Sequence, residues 1–443
     1  MRIHLFEHFT YKKLLRFVFP SIIMMIFTSI YGVVDGIFVS NFCENPLAFP
    51  AVNLIMPFLM VLGAIGFMLG TGGSAIVAKT LGEGDPKNAN RIFSMLVLVT
   101  TVSGIIISGI GIIFLEPIAI WLGSTEEMLP LCIEYGRIIL IGNTAFMLQN
   151  LFQSFFITAE KPHLGLIITV LAGVTNMVLD FLFIYVFKWE VAGAAWATSI
   201  SQMVGGFIPF FYFAFKNSSL LRLTKPSKNM RYLLHACTNG SSELMSNLSM
   251  SFVAMVYNWV LLDRIGPDGV SAYGAIMYTS FIFVAIFIGF SIGSAPIVSY
   301  HYGAKNHDEL HSLLKKSLVI IGVFSIFIVA LSEITAYPLA LLFGNKTPEL
   351  LALTYRAFAL FSISYILSGF NIYSSAFFTA LGNGPVSAII SFVRLLLFQV
   401  VSVLLLPLIL GNDGIWLSKT ATEILSVSVS IFFILRLRKK YGY

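Results

Sequence analysis

Long apolar segments recur along the whole chain and constrain its fold more than any other feature. An α-helix of about 20 apolar residues crosses the ~30 Å hydrocarbon core of a bilayer. Of the 443 residues, 57% are hydrophobic and 11% are charged, whereas soluble domains carry about 25% charged residues. The segments lack the two-residue alternation of a transmembrane β-barrel. We therefore predict an all-α integral membrane protein with twelve transmembrane helices, at approximately 14–39, 51–76, 92–114, 133–158, 164–187, 191–215, 235–262, 271–300, 315–336, 351–380, 386–409 and 414–436.

The basic residues of the loops indicate the orientation of these helices, since Lys and Arg near helix ends stay on the cytoplasmic side. With the N-terminus placed in the cytoplasm, most of the 27 basic residues fall on inner segments, while the outer loops hold Lys188, Arg264 and Lys346. Both termini are therefore predicted to be cytoplasmic. The net charge of +6 follows from this topology, so we expect no nucleic-acid partner.

The 3 cysteines, Cys43, Cys132 and Cys237, are too few and too scattered for a disulfide framework or a metal site. Cys43 and Cys132 both fall near the predicted outer side. One disulfide between these two residues therefore remains open.

The second half of the sequence repeats the first at an offset of about 221 residues, a pattern typical of duplicated transporter lobes. The matching segments are EPIAIWLG with YPLALLFG, NLFQSFFITA with NIYSSAFFTA, and GSAIVAKTLG with GSAPIVSYHYG. Each half contains six predicted helices, and an even number of crossings makes the halves parallel repeats. We predict an N-terminal six-helix lobe at 1–215, a cytoplasmic inter-lobe linker at 216–234 and a C-terminal six-helix lobe at 235–443.

Two polar residues interrupt the fifth apolar segment, in the stretch TNMVLDFLFIY at 175–185. A carboxylate near the centre of a bilayer costs about 2.5 to 3.5 kcal/mol on insertion scales, so Asp180 indicates a functional site. Asn176 lies four residues earlier and therefore on the same face of the helix. In the repeat, the matching positions are apolar: Val401 for Asp180 and Leu397 for Asn176. The second half has the same predicted fold but lacks these polar groups. We therefore infer that they serve the function of the protein rather than the stability of the fold.

Asp35, near the outer end of the first helix, and Thr198, early in the sixth, extend the candidate site of Asn176 and Asp180. The position that matches Asp35 in the second half is Val256. Carboxylate, amide and hydroxyl oxygens are the ligands that hard cations take. Two carboxylates that share a dry cavity can equally hold a proton. Na⁺ and H⁺ therefore both remain open, and a solvated position at the outer interface is the alternative for Asp35.

The second half carries charges of its own within predicted spans, namely Glu243, Arg394 and Glu423. An unpaired guanidinium in a membrane span is implausible, so we expect Arg394 to pair with Glu423 or Glu243. For Arg394 and Glu423, a structural ion pair and a role in transport both remain open. The same holds for Glu243, which has no basic residue near it in its own span.

These features resemble the multidrug and toxic compound extrusion (MATE) family of secondary transporters, which consist of two six-helix lobes. The resemblance covers nearly the whole chain and is most specific for the bacterial multidrug exporters typified by staphylococcal members. It rests on Pro20 with Asp35, on NMVLDFLFIY and VAGAAWATSISQ across the fifth and sixth helices, on GSSELMSNLSMSFVAMVYN, and on SAYGAIMYTSFIFVAIFIGFSIGSAPIVSYHYGAKN through the eighth helix.

The resemblance implies roles for individual residues. The coupling cation would be bound by Asp35, Asn176, Asp180 and Thr198. The substrate would be bound by Tyr31, Tyr135, Asn150 and Glu243. One position departs from the family pattern: some members carry an Asp in the tenth helix, where this chain has Asn371. A cation site in the second lobe therefore remains open.

The leading hypothesis is a secondary active antiporter that exports organic, often cationic, compounds in exchange for Na⁺ or H⁺ by alternating access of its lobes. We expect no cofactor besides the coupling ion, small organic molecules and membrane lipids as partners, a monomer, and a multi-pass location in the cell (inner) membrane.

Two other functions remain as alternatives. A lipid-linked oligosaccharide flippase of the same superfamily would need several basic residues for the pyrophosphate, whereas Arg394 is the one available in mid-span. An integral membrane enzyme would need clustered His, Cys or Ser-base motifs, but the 7 His residues lie mostly in loops or near helix ends.

Overall fold

The computed structural model describes residues 3–344 and 347–443, and these residues form helices and short connections without a strand. Lys346, which we predicted to lie in an outer loop, is outside the described residues. The helices are α1 (Tyr11–Phe42), α2 (Ala48–Gly82), α3 (Pro86–Trp121), α4 (Leu129–Thr158), α5 (Pro162–Asp180), α6 (Glu190–Ala214), α7 (Met230–Arg264), α8 (Pro267–Gly303), α9 (His307–Gly344), α10 (Pro348–Ser362), α11 (Tyr365–Ala380), α12 (Gly384–Phe392), α13 (Gln399–Leu410) and α14 (Asn412–Tyr441), with π-helical segments at Phe181–Val186 and Val393–Phe398. The predicted all-α fold is confirmed.

The helices coincide with the twelve apolar segments of the sequence. Within the described ranges, 10 helices are long and apolar enough to cross a membrane, and the bent pair α10 and α11 raises the number to 11. This pair meets at an angle of 49° between Ser362 and Tyr365. The remaining predicted span is α6, which is less apolar because it carries Thr198, Gln202 and several serines and glycines. The arrangement agrees with the twelve predicted spans.

Polar residues outside the apolar segments determine where several helices begin. The Thr10 side chain accepts a hydrogen bond from the Lys13 backbone N–H at 3.3 Å and caps α1. Asp85 caps α3 in the same way, by accepting from Asn88 N at 3.0 Å, and a proline follows it in the first helical position. Such caps extend the helices beyond the apolar segments, which explains why the predicted spans are shorter than the helices.

The helix boundaries recur between the first half of the molecule (α1–α6) and the second half (α7–α14). Adding 221 to the bounds of α1, α2 and α3 gives 232–263, 269–303 and 307–342, within two residues of α7, α8 and α9. The division into lobes stays a prediction. The last residues of the predicted linker, 230–234, are helical, because Asn229 accepts a hydrogen bond from Arg231 N at 3.1 Å and starts α7 there.

The two halves meet through four helices, since α1 packs along α8 and α2 packs along α7 and α8. Glycines allow this close approach: a Cβ added to Gly72 would collide with the backbone of Ala236, and one added to Gly303 would collide with the backbone of Lys79. In α1, nearly all buried residues lie within 14–24. The halves are therefore packed most tightly where α1 begins and where α2 and α8 end. We call this end of the molecule the closed face.

All three cysteines are free thiols. Cys132 is buried and directs its Sγ toward the Ala51 carbonyl oxygen, 3.5 Å away. The disulfide between Cys43 and Cys132 that the sequence left open is thus not formed.

Candidate functional site

The four predicted cation ligands come together between three helices of the first half. Asp35 lies near the end of α1, Asn176 and Asp180 lie at the end of α5, and Thr198 lies early in α6. Asn176 Nδ2 donates to Thr198 Oγ1 at 3.4 Å, and the Thr198 hydroxyl donates to Asp35 Oδ1 at 3.4 Å. Because α5 packs on both α1 and α6, residues far apart in sequence share one cluster. We call these four residues the first-half cluster.

Asp180 is the most deeply buried acid of this cluster. Its side chain is 0% exposed, no N–H or hydroxyl donor among the described residues reaches either carboxyl oxygen, and the one group within hydrogen-bond reach is the carboxyl of Asp35, which can bond to it only by sharing a proton. The charged group that acts on it is the nearby carboxyl of Asp35. The Oδ1 atom of Asn176 is also buried without a donor. Transfer of an unpaired ion into a protein interior costs several kcal/mol, so these oxygens fit a site that takes up a cation or a proton.

Asp35 is partly exposed, as the sequence alternative of a solvated residue requires. However, it accepts the hydrogen bond of Thr198 and lies beside Asp180, so it belongs to the cluster rather than to a separate surface. One acid of the cluster is partly exposed and the other is completely buried, so solvent reaches the cluster from the side of Asp35.

A change of helix type occurs directly after Asp180. The π-helical segment Phe181–Val186 continues α5, and the Trp189 N–H then donates to the Phe183 carbonyl at 2.8 Å as the chain turns into α6. Short π-helical segments occur frequently at functional sites, where they interrupt the regular hydrogen-bond ladder. Asp180 therefore lies at the position where the backbone of the fifth span departs from α-helical geometry.

The predicted substrate residues of the first half differ in their distance from the acids. Tyr135 is fully buried, and its hydroxyl has no described partner. Tyr31 and Tyr135 both lie within electrostatic reach of Asp35. Asn150, farther along α4, is 3% exposed with its Nδ2 unpartnered, and no described contact joins it to the acids. Two tyrosines thus border the cluster, whereas Asn150 does not.

Sequence analysis did not identify the amides that neighbour Asn150. Gln149 and Gln153 line a narrow cleft between α4, α5 and α6, together with Thr169. The Oε1 atoms of Gln149 and of Gln202 in α6 are buried without a described donor. Gln149 and Gln153 are four residues apart and therefore lie on one face of α4. This spacing could have identified them from the sequence.

The second half contains a buried ion cluster that the sequence predicted only in part. Arg394 binds Glu423 through Nε at 2.9 and 3.1 Å and through Nη2 at 2.8 Å, which confirms one of the two predicted pairings. Lys419 Nζ lies 3.2 Å from Glu423 Oε1, a contact that sequence analysis missed although the residues are four apart on α14. Asn371 donates to Glu423 Oε2 at 2.7 Å, and Ser430 donates to Asn371 Oδ1 at 2.9 Å. We call Asn371, Arg394, Lys419 and Glu423 the second-half cluster.

Glu243 lies apart from both clusters. It is half-buried in α7, and no described ion pair involves it. The pairing of Arg394 with Glu243, the other option from the sequence, does not occur. Glu243 is therefore an acid of the second half without a described counter-charge.

Comparisons with known proteins identify the family. The model of the MatE family matches residues 20–182 and 244–405, one stretch in each half and together most of the chain. Among curated proteins, the chain is similar to the multidrug export protein MepA of Staphylococcus haemolyticus (strain JCSC1435), with 24% identity over 438 residues, 98% of this chain and 95% of that protein. It is also similar to MepA of Staphylococcus aureus (strain NCTC 8325 / PS 47), with 25% identity over 328 residues, 73% of this chain and 71% of that protein.

Solved structures share the fold. A crystal structure of MATE in the straight conformation has a TM-score of 0.91 at 23% identity and covers 99% of this chain and 97% of that chain. An outward-facing conformation of a multidrug resistance MATE family transporter of the MOP superfamily has a TM-score of 0.91 at 24% identity, with the same coverage of 99% and 97%.

The matched family consists of transporters rather than enzymes, and it accounts for the membrane-spanning helices. Its members are transporters, and the curated relatives are multidrug export proteins. The protein is accordingly a multi-pass protein of the cell membrane. The chain belongs to the MatE family of multidrug efflux transporters.

Proposed function

We propose that this protein is a monomeric antiporter that exports organic, often cationic, compounds in exchange for Na⁺ or H⁺ by alternating access. The coupling cation binds Asp35 and Asp180, with Asn176 and Thr198 as co-ligands. Substrate binds against Tyr31 and Tyr135 beside this cluster, against Asn150 farther along α4, and against Glu243 in the second half.

One observation carries the proposal: Asp180 is completely buried, and its carboxyl oxygens have no described counter-charge or donor, only the second carboxyl of Asp35 beside them. A carboxylate in that position must be neutralised by something that the chain does not supply. A transported ion or proton satisfies this requirement and can leave again, whereas a permanent partner such as an arginine could not. The cluster is therefore suited to couple ion movement to a conformational change.

A segment before α1 supports the alternating-access part of the proposal. At the closed face, His4 Nδ1 lies 2.7 Å from Glu160 Oε2, and the Leu5 N–H donates to Glu160 Oε1 at 2.8 Å. Glu160 follows α4 and belongs to the first half. This pair of contacts, the first clasp, ties the segment to the first half.

The same pattern recurs four residues later and ties the segment to the second half. His8 Nδ1 lies 2.5 Å from Glu309 Oε2, and the Phe9 N–H donates to Glu309 Oε1 at 2.9 Å. Glu309 lies in the first turn of α9. This second clasp and the first hold the two halves together at the closed face. A transporter that alternates must release such contacts once per cycle.

The flippase alternative gains no support from the second-half cluster. Pyrophosphate recognition needs guanidinium or ammonium groups that face the substrate. The Nε and Nη2 atoms of Arg394 are both engaged with Glu423, and the Lys419 ammonium lies 3.2 Å from the same carboxylate. The antiporter proposal requires no such group.

The test is efflux of ethidium from proteoliposomes that contain the purified protein, with a Na⁺ gradient and a pH gradient applied separately. We expect at least one gradient to drive efflux and the Asp180→Asn variant to abolish it. Asp263→Asn, which neutralises an exposed acid at the end of α7, is the matched control and should retain wild-type efflux. Efflux that responds to neither gradient would contradict the coupling, and so would coupled efflux by the Asp180 variant.

A further inference from the structure

The two clasps at the closed face share one arrangement of atoms. In each, the Nδ1 atom of a histidine meets one carboxyl oxygen of a glutamate, and the N–H of the following residue donates to the other oxygen. His4 pairs in this way with Glu160 of the first half, and His8 with Glu309 of the second half. The histidines are four residues apart, so one short segment bridges the halves. We call residues 3–10 the strap.

Further contacts fix the strap to the closed face. Leu5 and Phe9 are completely buried. The Phe9 ring meets the His301 ring of α8 edge-on, with centroids 6.5 Å apart, and Lys316 of α9 donates to the Phe9 carbonyl oxygen. The strap is therefore an ordered part of the closed face, and it bridges the halves as long as both clasps hold.

The two partners of each clasp differ in their access to water. The side chains of Glu160 and Glu309 are 3% and 6% exposed, whereas those of His4 and His8 are 37% and 67% exposed. The imidazoles can therefore exchange protons with the solvent, while the carboxylates are shielded from it. Histidine is the side chain whose charge ordinarily changes between pH 5 and 8.

Protonation of the histidines changes the strength of the clasps. A neutral imidazole can donate one hydrogen bond from Nδ1 to the carboxylate, and an imidazolium makes the same bond with a full positive charge. Hydrogen bonds between charged partners are stronger than those with a neutral donor. Each clasp is therefore strongest at acid pH, where its histidine is charged, and weakens as the pH rises and the histidine becomes neutral.

A third histidine lies at the closed face but is placed differently. His301 is 2% exposed and faces the backbone of Leu5 and Glu7 in the strap. It also lies within electrostatic reach of His8. Because burial disfavours the charged form of an imidazole, His301 is less suited than the two exposed histidines to take up a proton. The other titratable and charged groups that face the clasps or the strap are Glu7, Lys13, Tyr300 and Lys316.

We propose that the strap is a pH-dependent lock of the closed face: charged His4 and His8 hold the two halves together, and neutral histidines let them separate. Because the closed face is cytoplasmic in our topology, an acid cytoplasm stops the transport cycle with this face shut. If H⁺ is the coupling ion, the lock limits the acid load that the transporter itself imports. The proposal rests on the alternating access proposed above and adds its regulation.

The test measures separation of the closed face in lipid nanodiscs, by spin-label distances between the end of α2 and the start of α9. It compares about pH 5.5 with about pH 8, on either side of the titration of histidine. Wild type and Asp35→Asn/Asp180→Asn are both measured, because protonation of the coupling acids cannot contribute in the second protein. We expect the separated population of both proteins to be about tenfold larger at the higher pH.

The variant His4→Gln/His8→Gln keeps a hydrogen-bond donor at each clasp but cannot gain a charge. It should lose the pH dependence, and each single variant should lose part of it. His235→Gln, which replaces an exposed histidine at the start of α7, is the matched control and should keep the wild-type response.

A pH response of wild-type size in His4→Gln/His8→Gln would overturn the proposal, because it would arise from His301 or from another group. A wild-type population that is independent of pH, or that separates more at the lower pH, would overturn it as well. If the closed face still separates on addition of ethidium or of the driving ion, these results remove the lock and leave alternating access intact. A distance that responds to none of these conditions would overturn both.

A second variant keeps the test decisive if His4→Gln/His8→Gln is too unstable to purify. His4→Lys/His8→Lys carries a positive charge at each clasp throughout this pH range. We expect it to stay shut at about pH 8, where the wild type separates. If the lysine variant separates at that pH as the wild type does, the charge of the histidines does not lock the closed face.

Discussion

Each half of the molecule buries charged side chains within its spans, but the two halves balance these charges in different ways. In the first half, Asp180 is fully buried beside Asp35, and its oxygens have no described counter-charge or donor. In the second half, Glu423 is equally buried but is held by Arg394 and Lys419. The same architecture thus contains one acid that lacks a counter-charge and one that has more than it needs.

The difference explains how one repeat can take on two tasks. An acid held by a guanidinium and an ammonium is neutralised permanently, so it stabilises the helices but has no ion to exchange. An acid without such partners must take its neutralising charge from solution and can return it. On this reasoning we assign ion coupling to the first half, and structural support together with the sensing of substrate charge by Glu243 to the second.

The largest effect is expected for Asp180→Asn. This change keeps the volume of the side chain and removes the charge that, in our proposal, binds the ion. Coupled efflux should fall to the level of empty liposomes, while the melting temperature stays equal or rises, because an unpaired buried carboxylate is removed. Efflux and thermal unfolding of the purified variant check both parts. Wild-type transport by this variant would break the comparison between the halves.

Arg394→Ala should act on stability instead of coupling. Removal of one partner of a buried ion pair costs about 3–5 kcal/mol, because the other charge remains buried. We expect low expression and a lower melting temperature. Lys419 stays 3.2 Å from Glu423 in this variant and leaves the carboxylate one cation, so the loss should lie toward the lower end of that range, and a double-mutant cycle with Glu423→Ala measures the coupling of Arg394 to Glu423. A stable Arg394→Ala protein with an altered preference among cationic drugs would contradict the structural role.

Much of this comparison was predictable from the sequence, because hydrophobic length and the repeat offset are local properties. The length of the apolar segments predicted the spans. Polar residues within those segments pointed to Asp35 and Asp180 in the first half and to the pair of Arg394 with Glu423 in the second. Lys419 was missed although its spacing of four from Glu423 predicts proximity on a helix. A lysine near a helix end is usually solvated, and the sequence does not show which face of α14 is covered.

Other features depend on tertiary contacts that no local pattern encodes. The bend between α10 and α11 falls at Ile363 and Ser364, and no proline or glycine at this position predicts it from the sequence. The spacing of His4 and His8 is visible in the sequence, but their partners are distant: Glu160 lies 156 positions from His4. Such pairs become apparent only when the halves are assembled.

Asp35→Asn should weaken coupling less than the change at Asp180. Asp35 is partly exposed and hydrogen-bonded to Thr198, and the amide can keep that contact. We expect the efflux rate under the driving gradient to fall about thirtyfold, equivalent to about 2 kcal/mol. Initial efflux rates at saturating ethidium provide the measurement. If Asp35→Asn transports normally while Asp180→Asn does not, the site contains one acid rather than two.

The clasps at the closed face test whether the halves move as separate bodies. Glu160→Gln and Glu309→Gln each weaken hydrogen bonds to a carboxylate, which contribute about 1.5–3 kcal/mol. We expect each variant to shift the protein toward separation of the closed face, and the double variant to shift it further. Spin-label distances between the end of α2 and the start of α9 report this separation. Glu83→Gln, at the exposed end of α2, is the matched control. Unchanged distances in the double variant would show that the clasps do not hold the halves together.

The smallest effect is expected for Glu243→Gln, and it depends on substrate charge. Glu243 is the half-buried acid of the second half that has no described ion pair. In a cleft of low dielectric constant, such a carboxylate attracts organic cations by several kT and does nothing for neutral compounds. Its neutralisation should therefore be selective.

We expect Glu243→Gln to raise KM for ethidium about tenfold, which corresponds to about 1.4 kcal/mol, and to leave KM for a neutral dye unchanged. The dependence on the driving gradient should persist, because the coupling acids lie in the first half. Asp268→Asn, an exposed acid at the start of α8, should change neither substrate. Equal losses for ethidium and the neutral dye would place Glu243 in the coupling machinery or in the fold. The second half would then no longer be the part that senses substrate charge, since the other charges of its buried cluster, Arg394, Lys419 and Glu423, are paired with one another.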